Sequence, residues 1–346
     1  MQTAPRLGPV RASSWIDILT AGIDRSPIPN TIICGLLFVG VVALTQSVKW
    51  IDGSMPAWSL GSIAALLGIW TVLPLALMHY LDRVAHAALD SFRPALQIDQ
   101  AGLDRWHAEL TTMPGLPAFA ASLAGMASLW LAMAVSPSLF APARTSQVTA
   151  VVWLAILHVN FALVGALVYH TLRQLLTVSR VYATASRLDV FSPEPLYAFS
   201  GLAARTGIAW ALALYLSVAL QPQILVSPLA AGLLIGQVGS IIAMFFLPLL
   251  GIHRRLFEEK HRLQSDLHHR LEAVFGKLHA LIDAADRKPI DEINKMINGL
   301  AAERDLLVKI STLPWQPGTL TAVLSALLIP LALYLILRLP TRMLGF

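Results

Sequence analysis

Seven stretches of the chain stay apolar for about twenty residues or longer, the length that the ~30 Å hydrocarbon core of a bilayer demands of a helix. They fall at roughly 29–48, 57–79, 116–136, 147–170, 200–221, 225–250 and 318–339. A chain with so many runs cannot bury them all in one soluble core. The charge content agrees: 13% of the residues are charged, against about 25% in soluble domains. Strands of a membrane barrel would alternate polar and apolar positions, and no such alternation appears. The expected fold is therefore all-α, a polytopic bundle of seven transmembrane helices whose first partner is the lipid bilayer.

Basic residues orient the bundle. Arg6, Arg11 and Arg25 precede the first run; Arg83, Arg93 and Arg105 follow the second. Arg173, Arg180 and Arg187 follow the fourth, and Arg254, Arg255, Lys260 and Arg262 follow the sixth. The intervening loops hold only Lys49 and Arg144, with Arg338 and Arg342 near the end of the chain. This asymmetry predicts a cytoplasmic N-terminus and an outside C-terminus. The net charge of +5 is read as the same loop bias, so no nucleic-acid partner is expected. Residues 1–28 carry Pro5, Pro9 and three arginines but no apolar core of signal-peptide type, and are expected to stay in the cytoplasm uncleaved. Cys34 is the only cysteine, which excludes a disulfide framework and a cysteine metal cluster.

Two segments are expected to leave the membrane as helices. After the fourth run, HTLRQLLTVSRVYATASRLDVF contains no breaker before Ser192-Pro193-Glu194-Pro195, which predicts a cytosolic extension over about 171–199. After the sixth run, Leu256, Leu263, Leu267, Leu271, Val274, Leu278 and Leu281 form one stripe at helical spacing. A turn at Asp286-Arg287-Lys288-Pro289 leads to a second arm. There Ile290, Ile293, Ile297, Leu300, Arg304 and Leu307 alternate spacings of three and four, a coiled-coil rhythm. The segment 251–313 is thus expected to be a cytosolic helical hairpin that reaches ~45–50 Å at 1.5 Å per residue and serves in self-association. Arg304 is expected to meet Glu272 across it. Gly232, Gly236 and Gly239 place small residues on one face of the sixth run, which suits close helix packing.

The boundaries that follow are 1–28 for the cytosolic N-terminal segment, 29–250 for a six-helix transmembrane bundle with its extension, 251–313 for the hairpin, and 314–346 for a hinge, the seventh span and a short outer tail. Pro314, Trp315 and Pro317 form the hinge, two prolines ending one helix before the next begins and a tryptophan suited to the membrane interface.

Few residues carry chemistry. His158 is the only ionisable group near the middle of a span, a position that is costly and marks a functional candidate. Gln237 is its possible partner, and a single interhelical hydrogen bond is the competing role. Trp130, Trp153 and Tyr215 supply aromatic walls for a small-molecule ligand entering the bundle from the outer half. Thr321, Ser325, Leu328, Ala332 and Leu335 lie along one face of the last span, small hydroxylated residues turning into leucine, as a narrow pore with an apolar gate would have. A packing face reads the same way. His261, His268 and His279 edge the first arm of the hairpin, and a metal or proton site there competes with a solvated flank; no bound metal is expected. No glycine-rich phosphate loop, His-Glu-x-x-His, nucleophile elbow or intramembrane carboxylate pair is present, so an enzyme and a resident cofactor are not expected. The last span has no lysine to form a retinal Schiff base.

In plan the chain resembles the insect odorant and gustatory receptors and their wider superfamily of seven-helix ion channels. The likeness is carried by the fourth-helix extension, the arm after the sixth span, Pro289 to Ser311 as a cytosolic piece of the last helix, 318–339 as its membrane piece, and the abrupt end Met343-Leu-Gly-Phe346. It is a likeness of topology. The Thr-Tyr and Gln-Phe pairs of the insect receptors' last helix are absent from TLTAVLSALLIPLALYLILRLP, so no residue's role is carried across. The resemblance implies a homo-oligomeric, tetrameric, ligand-gated ion channel with its pore lined by the seventh span and its cytosolic helices joined in an intersubunit anchor. The competing expectations are a non-conducting scaffold or sensor whose hairpin docks a partner, and a small-molecule transporter using His158.

Overall fold

The computed structural model describes residues 14–135, 146–184, 194–220, 228–283, 290–311, 313, 315 and 318–328, with only the backbone described at 194–196, 228–235 and 237. Everything regular in it is helical, and no strand occurs among the described residues. The helices are α1 (Trp15–Asp24), α2 (Asn30–Ile51), α3 (Ser62–Leu96), α4 (Gln100–Thr111), α5 (Gly115–Val135), α6 (Gln147–Thr184), α7 (Glu194–Leu220), α8 (Pro228–Asp283) and α9 (Ile290–Lys309). A shorter apolar helix, α10, covers Thr319–Leu328.

Six of them, α2, α3, α5, α6, α7 and α8, are long and apolar enough to cross a membrane, the make-up of a multi-pass membrane protein. The seventh expected span is described only over the ten residues of α10; Ala332 and Leu335 lie outside the described residues, as do Pro314, Pro317 and the expected turn at 286–289. At 1.5 Å per residue, α3, α6 and α8 measure about 52, 57 and 84 Å, well beyond a ~30 Å core. They therefore project from one side, the side on which α4, the start of α7 and α9 also lie and which carries the arginines; it is called here the basic end.

The second span starts later than its apolar run. Residues 53–61 form a loop in which Gly53 and Trp58 have φ of 71° and 64°, and α3 begins at Ser62. The Trp50 indole donates to the Ser59 carbonyl at 3.0 Å and packs 5.7 Å from the Trp58 ring. Asp52, beyond the end of α2, accepts from the Ser54 amide, the Ser146 amide and the Thr149 hydroxyl. Hydrogen bonds from Ser54 and then Thr149 hold its carboxyl well below the usual carboxylate range. This ties the α2–α3 loop to the start of α6.

Helices α1 and α4 have no counterpart in the apolar runs because both are short and lie at the surface. Ser14 and Asp17 form a capping box on α1, and Asp17 also accepts from the Met113 amide at 3.0 Å. That bond pins α1 to the loop between α4 and α5.

The tightest helix contact joins α5 and α6. A Cβ built on Gly125 would overlap the Phe161 carbonyl oxygen, and one on Gly165 would overlap the Ala121 carbonyl oxygen. Only glycine allows the two backbones so close. Of the stripe expected to pack in this way on α8, Gly236 and Gly239 are exposed, and a Cβ on either would meet nothing within 4 Å among the described residues. No helix of the same chain lies over that face among the described residues.

At the basic end Phe92 of α3, Tyr182 of α6 and Phe199 of α7 meet edge to face, with centroids 5.1–5.5 Å apart. All three are fully buried. The helix extensions thus have their own core, which fixes the direction of α6 as far as Thr184.

Candidate functional site

Polar side chains on long apolar helices must find partners, and at the basic end they find each other. Asp82 follows the apolar part of α3; His170 and Gln174 are one turn apart on α6. His170, 3% exposed, places Nε2 at 2.9 Å from Asp82 Oδ1. The Gln174 amide donates to the same oxygen at 3.3 Å and to the Leu110 carbonyl at 3.2 Å. A carboxylate only accepts, so the network assigns the proton of neutral His170 to Nε2. His170 Nδ1 and Gln174 Oε1 are then two buried acceptors without a hydrogen-bond partner among the described residues.

The same α6 face closes the end of α4. Gln174 takes up the Leu110 carbonyl, Arg173 donates to the Thr112 carbonyl, and Arg180 pairs with Glu109 at 3.4 Å. The last carbonyls of a helix lack internal donors, and here a neighbouring helix supplies them. A second histidine pair lies alongside: His86 of α3 stacks on His107 of α4 with centroids 4.3 Å apart, and His107 Nε2 lies 3.0 Å from Asp90 Oδ1. His107 Nδ1 is buried without a hydrogen-bond partner among the described residues. Asp82, His86 and Asp90 recur at every fourth residue of α3, and His170 and Gln174 at the same interval on α6. That spacing is the signal in the sequence which marks this cluster.

Mid-bundle, the buried polar tie is Asn160, not His158. Asn160 donates to the Leu67 carbonyl at 3.0 Å and accepts from the Thr71 hydroxyl at 2.7 Å. His158, two residues earlier and about 200° around the helix, is half-buried. Its Nδ1 lies 2.7 Å from the Leu154 carbonyl, and its ring meets Trp130 edge to face at 5.5 Å. Trp130 is 54% exposed. Trp153 is buried with Leu67, Leu129 and Leu157 under the ammonium of Lys49, 4.9 Å from its ring centroid. Tyr215 is elsewhere again, its hydroxyl donating to the Leu327 carbonyl of α10. The four described residues of the expected ligand set do not share one cavity: Trp130 and His158 meet, while Trp153 and Tyr215 stand apart; the Gln237 side chain lies outside the described residues.

The hairpin pairs α8 with α9. Leu256, Leu267 and Val274 of the first stripe and Ile293 and Leu307 of the second are buried. Lys260 of α8 donates to the Val308 and Ile310 carbonyls, 3.1 and 2.6 Å away, and so holds the C-terminal end of α9. Arg304 is exposed, and Glu272 engages His268 and His269 at 3.3 and 3.4 Å in place of the expected cross-arm pair. His261 packs on Phe257. No three His, Cys, Asp or Glu side chains among the described residues converge as metal ligands.

Beyond α9, Trp315 lies against Phe245, Phe246 and His253 of α8, with centroids 6.2, 5.4 and 6.3 Å away. Gly318, with φ of 91°, makes the turn into α10. Val323 and Leu327 of α10 are buried in the main core. Thr321 and Leu328 are exposed and Ser325 is half-buried. At 100° per residue Thr321, Ser325 and Leu328 fall within about 60° of one another, and that arc lies roughly opposite Val323 and Leu327. Exposed apolar residues continue on the hairpin, with Phe275 at 42%, Leu306 at 59% and Val308 at 59%. No known protein family, curated protein or solved structure matches the chain.

Proposed function

We propose that the chain is one subunit of a homo-oligomeric, tetrameric ion channel, gated by a small ligand, with α10 and its continuation lining the pore. The observation that carries this reading is the division of α10 into two faces. Val323, Leu327 and the Tyr215 bond bind one face to the subunit's own bundle, while Thr321, Ser325 and Leu328 point away from it. A pore on an axis between subunits needs its lining presented in that manner. The exposed Phe275, Leu306 and Val308 of the hairpin suit an intersubunit anchor, because a lone hairpin in water would leave them wet. The seven-span plan with a cytoplasmic N-terminus and outside C-terminus belongs to the same proposal.

The test is conductance. Purified protein in planar bilayers passes current, and Leu328→Trp reduces it by tenfold or more. A protein that stays electrically silent while forming no tetramer in detergent overturns the proposal and favours the scaffold reading, in which the hairpin docks a partner.

The Asp82–His170–Gln174 cluster, with His170 and Gln174 buried and Asp82 half-buried, favours a second reading, a proton-coupled small-molecule transporter. Buried ionisable groups on membrane helices commonly mark such pathways. His158 is not part of this cluster; its Nδ1 lies against the Leu154 carbonyl. On this reading His170→Gln abolishes proton-dependent uptake into vesicles; on the channel reading His170→Gln alters stability alone.

A further inference from the structure

A groove of about 310 Å³ runs between α3 and α7 on the outer surface of the bundle. Leu73 and Leu77 form one wall, and Leu212 and Leu216 the other; Tyr80 and Arg205 stand at the basic end. The two helices are antiparallel, so the register is consistent: the later residue on α3 and the earlier one on α7 mark the same end. Beyond the far end of the groove the Trp70 indole donates to the Ser217 hydroxyl at 3.2 Å, and this bond bridges the helices.

Arg205 is a permanent cation near the beginning of a membrane-crossing helix. It is exposed, and among the described residues no carboxylate lies within ion-pair distance of it. A guanidinium at that depth is costly unless it reaches an anion or the interface. Its five donors match a phosphate, and the Tyr80 hydroxyl adds a sixth. The dimensions fit one class of molecule. Arg205 to Leu216 spans about 16 Å of helix, close to half of the ~30 Å hydrocarbon core and so to one leaflet. An apolar channel one leaflet long, with a cation and a hydroxyl at the headgroup end, has the polarity of a phospholipid.

We propose that the α3–α7 groove is a binding site for an anionic phospholipid, an acyl chain lying along Leu73, Leu77, Leu212 and Leu216 and the phosphate held by Arg205 and Tyr80. Basic sites between membrane helices at the cytoplasmic side recognise anionic headgroups in this manner. The headgroup charge supplies selectivity and the chain supplies residence. The lipid would brace α3 against α7, two helices that also meet at the Phe92–Phe199 contact.

The test counts lipids retained by the full-length protein in detergent, by native mass spectrometry, after doping with phosphatidylglycerol or phosphatidylcholine of the same chain length. Phosphatidylglycerol is expected to be retained about tenfold more tightly, the worth of one charge-assisted contact. Arg205→Gln should erase that preference. Ala209→Phe, which fills the groove and leaves the cation, should release both lipids. Inorganic phosphate at the same concentration should displace neither. Equal retention of the two lipids, or an unchanged preference in Arg205→Gln, overturns the proposal. Full competition by inorganic phosphate overturns it in favour of a plain anion site. An oligomer that falls apart in Ala209→Phe with its lipid count unaltered shows the groove to be covered by a second copy, and equally overturns it. Arg205 is at the surface and Ala209 keeps its helix, so each variant is readable if the other fails to fold.

Discussion

Two pairs of glycines, one divided between two helices and the other on a single helix, have opposite fates. Gly125 and Gly165 bring α5 and α6 so close that each backbone excludes a Cβ on the other. Gly236 and Gly239, on α8, look out on open space. Small residues at membrane-helix spacing permit close approach without choosing a partner. The first pair is filled from within the chain, on the side where Asn160, Trp153 and the Asp52–Thr149 bond also join α2, α3, α5 and α6. The second lies on the side where α8, the hairpin and α10 leave faces uncovered. The first contact is satisfied within the chain; the second face is open among the described residues, and the proposed assembly has room to form there.

The largest expected effect comes from breaking the closed side at its tightest point. Gly125→Leu forces a side chain against the Phe161 carbonyl, which cannot move without parting the helices, and should cost about 3 kcal/mol. Thermal unfolding in detergent measures it, and a loss under about 1 kcal/mol would mean that the two backbones are not in contact. A smaller effect is expected mid-bundle. Asn160→Leu removes the polar tie to Leu67 and Thr71 and should cost about 1 kcal/mol, the usual scale of interhelical hydrogen bonds in membranes. His158→Leu, at a half-buried position, should cost less than Asn160→Leu in the same assay. The smallest effect on the protomer is expected on the open side. Gly239→Leu should stay within about 0.5 kcal/mol for the isolated subunit, since no described residue occupies that space. If the open face meets a second copy, the same substitution lowers the oligomer fraction seen by cross-linking; an unchanged fraction places the subunit contact elsewhere.

Much of the architecture was legible in the sequence, because apolar length and stripe spacing act locally. The six described spans coincide with apolar runs, and Leu256, Leu267 and Val274 are buried where their stripe put them. Helices α1 and α4 were missed, since short surface helices carry too little apolar length to stand out. Residue type and depth pointed to His158, yet neither says which way a side chain faces. Asn160, two positions on, took the buried place. The Asp82–His170 contact spans 88 positions, and no local pattern announces a pair so far apart, although the four-residue recurrence on α3 and α6 marks both surfaces. The expected Arg304–Glu272 pair failed because Glu272 had nearer histidines on its own helix. For pore lining, sequence placed Thr321, Ser325 and Leu328 on one face, but only packing distinguishes a face turned inward from one turned away.

The central claim is that this face of α10 lines water. Cys34 is first replaced by serine to give a chain without thiols, and single cysteines are placed at Thr321, Ser325, Leu328, Val323 and Leu327. The protein in liposomes is then treated with a membrane-impermeant thiol reagent. The account predicts rapid labelling at 321, 325 and 328 and protection at 323 and 327. Protection at all five, or equal labelling of both faces, would contradict it.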